Sequence, residues 1–400
     1  MRVRLILCLI SLVLVGGFAT PALAQIVTQE LPTQVFDPSI EAAGMGGASI
    51  AAFWEENPND HANPALMGFH SGLRYSYGTT QLVPELADDV HYASHRILAG
   101  AWGVGVAMSG KPVESVGYVG INYGPTEITD IDGNVIGEAE ATEHVRSIAV
   151  GVSVFDLISS IRVARGGEPL SFNRRLSLAL GHAWKTYDIE FGSFIQGEGS
   201  NNDAGILLRV APFDQIGETL RDANDRMRWK VDVAGAYTRL DYLNDRTVDF
   251  DNGGSSDDLF GHRSIGGSVQ FTMALPNDGV GDLWDFATPS IRLGVTYEHT
   301  DTYEGDTKLG EFAKRYGAEL SVIDMLYLRY GHVKGEVGLD DATFGAGFSL
   351  KYRNMIGVKG DYASYPRTSD VLFFVPDDTY DRWGLTFFVD PYRLLKKGAD

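Results

Sequence analysis

Trp102-Gly103-Val104-Gly105-Val106-Ala107-Met108-Ser109 decides the fold, because every even position is apolar and every odd position is small or hydroxylic. A period of two places those sets on opposite faces of an extended strand. The same parity returns in Ser147 through Val154, in Ile265 through Met273, in Ile291 through Tyr297 and in Phe344 through Tyr352. A soluble sandwich also alternates, but its second face carries bulky charged groups. Here the second face is mostly Gly, Ala, Ser and Thr with isolated Arg, Lys, Asp and Glu. Branched and aromatic residues outward with small residues inward suit an all-β, closed antiparallel transmembrane barrel, since an open sheet edge in lipid would leave backbone groups unsatisfied.

The N-terminus agrees with export. Arg2 and Arg4 precede an apolar run from Leu5 to Val15, and Ala22-Leu23-Ala24 supplies small residues before Gln25. Residues 1–24 therefore read as a cleaved signal peptide. Cys8, the single cysteine, lies within it, so the exported chain carries no thiol and rests on no disulfide. No later stretch has the ~20 consecutive apolar residues of a helical span. A formal charge of -20 excludes nucleic acid as a partner, which requires a basic footprint.

Fifteen strand-like runs begin near residues 71, 89, 102, 115, 142, 174, 204, 229, 261, 290, 311, 325, 342, 354 and 380. A bacterial barrel with both termini on one side has an even number of strands. The runs either side of Lys111-Pro112 share the even apolar parity of Trp102, Val104, Met108, Val116 and Tyr118, so they merge into one strand and fourteen remain. The outer connections are then residues 80–89, 124–143, 189–203, 244–260, 301–310, 335–341 and 364–381. They hold 27 Asp or Glu and 3 Lys or Arg, against 53 and 33 in the whole chain, which supports the assignment. Tight turns at Asp324 and Arg353 are expected on the periplasmic side. Tyr77, Tyr118, Tyr297, Tyr330, Tyr362 and Trp383 are placed at the outer ends and Tyr352 at an inner end, as the aromatic girdles of such barrels require. His182 shares the outward parity of Leu176, Leu178 and Leu180, where a polar ring is costly, so a neutral imidazole or a local bulge is expected there.

Before the first strand the chain reads Glu41-Ala-Ala-Gly44-Met45-Gly46-Gly47-Ala-Ser-Ile-Ala-Ala-Phe-Trp54, then Asn63-Pro64-Ala65-Leu66-Met67-Gly68. This resembles the opening motif of the PorV/PorQ family, which belongs with the FadL-type fatty-acid transporters. Ile128 through Gly137, leading into Ser147 through Ser153, is similar to that family's outer loop and the strand descending from it. The resemblance implies a fourteen-stranded barrel whose N-terminal segment, residues 25–69, folds into the mouth as a hatch built on Gly44, Met45, Gly46, Gly47, Asn63 and Pro64. It leaves the barrel to residues 70–390 and a periplasmic tail to 391–400. Glu55, Glu56, Pro58 and Asp60 depart from the family's usual run, and the tail replaces the terminal aromatic residue common in outer-membrane barrels.

Inward parity collects Arg74, Lys185, Asp232, Arg292, Glu298, Arg315, Glu319, Arg329, Lys351, Lys359 and Asp361 as lumen-lining candidates. His91 and His95 are read as pointing inward on one strand, as lumen polarity rather than metal ligands, because no third or fourth ligand is visible. Asp249, Asp251, Asp257 and Asp258 around Gly253-Gly254 fail the spacing of a calcium loop and read as a solvated acidic loop. His262-Arg263-Ser264 lacks an assured orienting acid for a surface hydrolase. Neither a metal nor a cofactor is expected, nor is an enzyme. Most of the lumen charges are expected to cross-brace, while some Arg and Lys could hold a carboxylate head group as in FadL-type proteins. The chain is expected in the outer membrane of a diderm bacterium, with membrane lipid and the barrel-assembly machinery as partners. Transport or binding of a small, partly hydrophobic molecule through a hatch-gated lumen is the leading function. The alternative is a non-transporting accessory barrel of a protein secretion or surface-attachment system, with secretion components as partners.

Overall fold

The computed structural model describes residues 37–81, 91–109, 119–129, 135–172, 175–191, 195–216, 227–240, 247–250, 256–258, 260–275, 286, 288–335, 339–353, 355–366 and 379–390. The expected signal peptide, the tail after Asp390 and Tyr118 lie outside them. The strands are β1 (Gly72–Gln81), β2 (His91–Ala101), β3 (Val104–Ser109), β4 (Val119–Thr129), β5 (Val135–Ser153), β6 (Leu176–Phe191), β7 (Ile195–Asp214) and β8 (Arg228–Leu240). Then follow β9 (Thr247–Phe250), β10 (Ser256–Asp258), β11 (Gly261–Ala274), β12 (Ser290–Glu304), β13 (Thr307–Val322), β14 (Leu326–Lys334), β15 (Asp340–Tyr352), β16 (Ile356–Pro366) and β17 (Thr379–Val389). Among the described residues three short helices accompany them: α1 (Ile40–Gly44), the 3-10 helix η1 (Pro64–Phe69) and α2 (Val154–Ala164).

All seventeen strands belong to one antiparallel sheet, and β1 pairs with both β2 and β17, so the sheet closes on itself. β3 and β4 each pair β2 on one side and β5 on the other, making them lower and upper parts of one wall strand. β9 and β10 form a hairpin seated on the outer end of β7, while β8 pairs β11 directly. The wall thus has fourteen strands, as the parity across Lys111-Pro112 predicts. Strands rise further than the sequence suggests. Much of 124–143, 189–203 and 301–310, expected as loop, is strand, because above a bilayer both faces meet water and alternation fades.

The tight turns follow from backbone handedness. Ile323 and Asp324 have φ of 50 and 60°, and Trp102 and Gly103 have 55 and 81°. Two successive positive φ values match the twist of the flanking strands. Outward positions carry Leu180, Val233, Val269, Leu293, Val295, Leu328 and Phe348, each more than a third exposed. An apolar band of that extent calls for lipid. Trp383 stacks on Tyr362 at 4.6 Å, Tyr330 on Phe344 at 5.3 Å and Tyr297 on Tyr316 at 5.1 Å, which assembles the expected outer girdle. His182 does face outward in an unbroken ladder, its ring edge-on to Trp184 at 4.2 Å, so no bulge relieves it.

One parity assignment is corrected. On β2 the inward side chains are Tyr92, Ser94, Arg96 and Leu98, all buried, and His95 points outward. There it accepts or donates a hydrogen bond at 2.8 Å with the Tyr75 hydroxyl and packs on Tyr77 at 4.9 Å. The cause is register: Ile97 lies opposite Met108 and Ala99 opposite Val106, so the odd positions of β2 share the lipid-facing side. The His91 side chain lies outside the described residues, though its strand parity is that of His95.

Val269→Arg should destabilise the barrel by ~2–4 kcal/mol, the cost of a cation at the midplane. Equilibrium unfolding in detergent or bilayers should show that loss. Ala149→Arg, inward and packed on Met67, should instead keep the barrel and disturb the hatch.

Candidate functional site

The lumen is filled across its middle by residues 37–70. Asp37 accepts the Ser39 N–H and the Ser39 hydroxyl accepts the Ala42 N–H at 3.1 Å, which starts α1. Asn63 likewise caps η1 through the Ala65 N–H at 3.0 Å, with Pro64 at its first position. The Asn63 amide also donates to the Ile50 carbonyl at 2.7 Å, tying the two halves of the segment together. Ala42, Met45, Ala48, Ala51, Ala52 and Met67 are fully buried.

Backbone meets backbone where this segment touches the wall. A Cβ at Gly151 would lie 2.5 Å from the Pro64 carbonyl oxygen, one at Gly317 2.6 Å from the Met45 carbonyl oxygen, and one at Gly345 2.9 Å from the Gly44 Cα. Added at Gly105, Gly181, Gly205 or Gly331, it would strike Met67, Ala65, Asn63 or Gly46. These wall glycines form a collar. From the other side, Gly46 has φ of +70° and no room for a Cβ beside the His332 amide nitrogen, 2.8 Å away. The motif residues Gly44, Met45, Gly46, Gly47, Asn63 and Pro64 are thus brought to the wall.

Most of the charged candidates hold this segment. Glu298 accepts the Ser49 and Ile50 N–H groups at 3.2 and 3.3 Å and an Arg315 N–H at 2.8 Å. Lys359 donates to Glu41 at 2.6 Å. Arg329 donates to Glu319 at 2.7 Å and Asp361 at 2.8 Å, with Glu41 3.9 Å away. Lys351 pairs with Glu56, and Lys185 pairs with Asp203 and donates to the His61 carbonyl at 3.4 Å. Two candidates brace the wall alone: Asp232 accepts from Arg209 at 3.0 Å and pairs with Lys230 at 3.1 Å, and Arg292 pairs with Asp324. Arg74 stands apart, since among the described residues it bonds only His70 Nδ1, at 3.2 Å, and no carboxylate lies within 4.0 Å.

Sequence reasoning missed Arg96, which pairs with Asp60 and donates to the Pro58 carbonyl at 2.6 Å, because parity on β2 was inverted. It also missed the hatch carboxylates as partners. A signal existed: the inward list has seven cations and four carboxylates. His61, in contact with Ser109 at 3.2 Å, has its imidazole pushed down to about 3 by burial, with Lys185 and Arg96 adding to the effect against Asp60, and stays neutral.

Two cavities flank the packed layer. The outer one, about 1010 Å³ including its open mouth, has Ala43, Ile50 and His61 in its floor and Tyr187, Leu240, Phe312, Tyr365, Arg315 and Arg382 among its walls. The inner one is bordered by Glu56, Arg74, Asp324, Lys351, Phe388 and Asp390. His262 and Ser264 also face the lumen, with the Ser264 hydroxyl 2.8 Å from Thr300 rather than on the outer surface as a membrane hydrolase would need. Of the acidic run, Asp249, Asp257 and Asp258 lie on the β9–β10 hairpin, while Asp251 and Gly253-Gly254 lie outside the described residues.

No family model matches the chain, and no curated protein does. Among solved structures it is similar to the Ralstonia pickettii toluene transporter TbuX, with TM-score 0.41, 11% identity and coverage of 89% of this chain and 98% of that one. It is also similar to a Pseudomonas aeruginosa FadL homologue, with TM-score 0.34, 10% identity and coverage of 88% and 98%. For the Pseudomonas putida toluene transporter TodX the TM-score is 0.35, the identity 8% and the coverage 92% and 100%. All three scores are under 0.5, and the reading of the site rests on its own geometry.

Glu55 is buried with neither carboxylate oxygen hydrogen-bonded among the described residues. Burial, reinforced by the Glu41, Glu319 and Asp37 carboxylates, pushes its carboxyl well above the ordinary range. The docked hatch therefore keeps a proton that an undocked one releases at the usual value. Glu55's contribution to docking is fully present below that usual value and is lost as pH rises through the raised one, opposite in sign to the contributions of Glu41, Asp60 and His61. Protection factors of residues 40–68, which remove the intrinsic base catalysis of exchange, should fall more steeply with rising pH in the wild type than in Glu55→Gln. Separately, Gly181→Val should expose the hatch to protease, whereas Gly235→Val, with nothing within 4 Å of its added Cβ, should not.

Proposed function

We propose that this chain is an outer-membrane barrel for passive passage or binding of a small, partly hydrophobic molecule, with residues 25–69 as a removable hatch. The observation that carries this reading is the hatch itself, whose described residues, 37–69, contribute no strand to the wall. It is held by glycine contacts, hydrogen bonds and ion pairs that can separate together without breaking the sheet. The outer cavity mixes aromatic and aliphatic walls with polar groups that orient a ligand, the usual character of a small-molecule pocket. Its cations Lys185, Arg315 and Arg382 already have partners. A carboxylate head group thus finds its best remaining guanidinium at Arg74, in the inner cavity beside Phe388.

Dense packing of the hatch favours a second reading, a sealed accessory barrel like the PorV proteins that work with a secretion apparatus. Liposome swelling separates the two. Deleting residues 25–69 should leave a heat-modifiable barrel and raise permeability to small solutes, and Glu298→Gln should give a weaker leak. A deletion that assembles normally yet stays impermeable would remove the hatch role and favour the accessory reading.

A further inference from the structure

Between β5 and β6, on the side of the tight turns, the chain forms α2. Its Val154, Leu157, Ile158 and Ile161 follow the i, i+3, i+4, i+7 spacing of an apolar helical stripe. Such a stripe is ordinarily covered by protein. Here Ile158 is 43% and Ile161 44% exposed. The helix is packed through other positions: Ser159 is buried and accepts the Leu170 N–H at 3.1 Å, and Phe155 sits edge-on to Phe172 at 5.3 Å. The stripe is therefore left open while the helix is held in place.

Two further observations identify what covers it. The first is continuity with the outward wall. The β2–β3 turn seats against the first turn of α2, since a Cβ at Gly103 would lie 2.7 Å from the Leu157 nitrogen and the Ser153 N–H donates to the Gly103 carbonyl at 2.7 Å. Trp102, at that turn, is 68% exposed, so an interfacial aromatic adjoins the stripe. The second is charge. In a chain of net charge -20, residues 154–175 hold Arg162, Arg165, Arg174 and Arg175 against Asp156 and Glu168. Arg162 and Arg165 are exposed at the end of the helix.

We propose that α2 is an interfacial foot lying in the inner leaflet of the outer membrane. Leu157, Ile158 and Ile161 enter the acyl boundary, and Arg162 and Arg165 bind the phosphate of anionic glycerophospholipid headgroups. This rests on the outer-membrane reading above.

The test is site-directed spin labelling of the exported chain, from which Cys8 is expected to be removed, in vesicles of phosphatidylethanolamine and phosphatidylglycerol. Nitroxides at Ile158→Cys, Ile161→Cys, Ser160→Cys and the mid-wall control Val269→Cys are compared for collision with oxygen and with a water-soluble nickel complex. The oxygen-to-nickel ratio at Ile158 and Ile161 should exceed that at Ser160 several-fold. Labels at Ile158 and Ile161 as open to nickel as Ser160, with Val269 still protected, would overturn the foot and leave the barrel reading intact. A nickel-accessible Val269 would overturn both. Labelling two stripe positions lets one decide if the other impairs folding. Arg162→Gln combined with Arg165→Gln should lower the ratio in these vesicles and leave it unchanged in pure phosphatidylcholine. An equal ratio with and without the arginines in phosphatidylglycerol vesicles would overturn the headgroup contact.

Discussion

The approach of hatch backbone to wall backbone is the constraint from which the rest of this lumen follows. A barrel this wide has room for side chains or for a second segment of chain, but not for both at one level. Gly105, Gly151, Gly181, Gly205, Gly317, Gly331 and Gly345 surrender their side chains at the level where residues 44–67 pass. Each of those wall positions would otherwise fill space that Gly44, Met45, Gly46, Asn63, Pro64, Ala65 or Met67 occupies. Inward smallness in the strands is therefore a statement about the hatch as much as about the barrel. Where the collar ends, inward residues lengthen into Lys185, Arg329 and Lys359, which reach the hatch by side chain instead.

Electrostatics completes what packing begins. The wall alone carries an excess of inward cations, and the hatch supplies Glu41, Glu56 and Asp60 to Lys359, Lys351 and Arg96. Buried pairs of this kind return little net stability, because each charge was desolvated to form them. Their effect is on specificity of docking. Removing one partner leaves a buried charge alone, whereas withdrawing the whole hatch returns both sets to water. Such an arrangement penalises partial displacement more than complete displacement, as the proposed plug role requires.

The wall was legible in the sequence because lipid and lumen impose opposite demands at a period of two. Fourteen strands, the merger across Lys111-Pro112 and the outward girdle of Tyr297, Tyr330, Tyr362 and Trp383 all follow from that period. Parity failed on β2, where His95 and Ile97 alternate with Tyr92 and Leu98 and either set could face lipid; the Ile97–Met108 pairing decides it. It failed again at the outer strand ends, which stand in water on both faces. The hatch was legible as a glycine-rich motif, but its ion pairs were not, since they join residues such as Glu41 and Lys359 that no local period relates. The charge imbalance among inward residues was the one readable trace of them.

Thermodynamic separability of hatch and barrel is the last consequence. Every wall strand finds both neighbours within the wall, including β1 with β17, so the ladder closes without residues 37–70. The hatch, by contrast, has two short helices, of five and six residues, linked by turn hydrogen bonds such as Ala52 N–H to the Ser49 carbonyl, and no strand pairing among the described residues. Helices that short are unstable in isolation. Its conformation therefore exists only while the collar receives it. A segment that depends on the wall, inside a wall that does not depend on it, is the arrangement that the proposed displacement of the hatch requires.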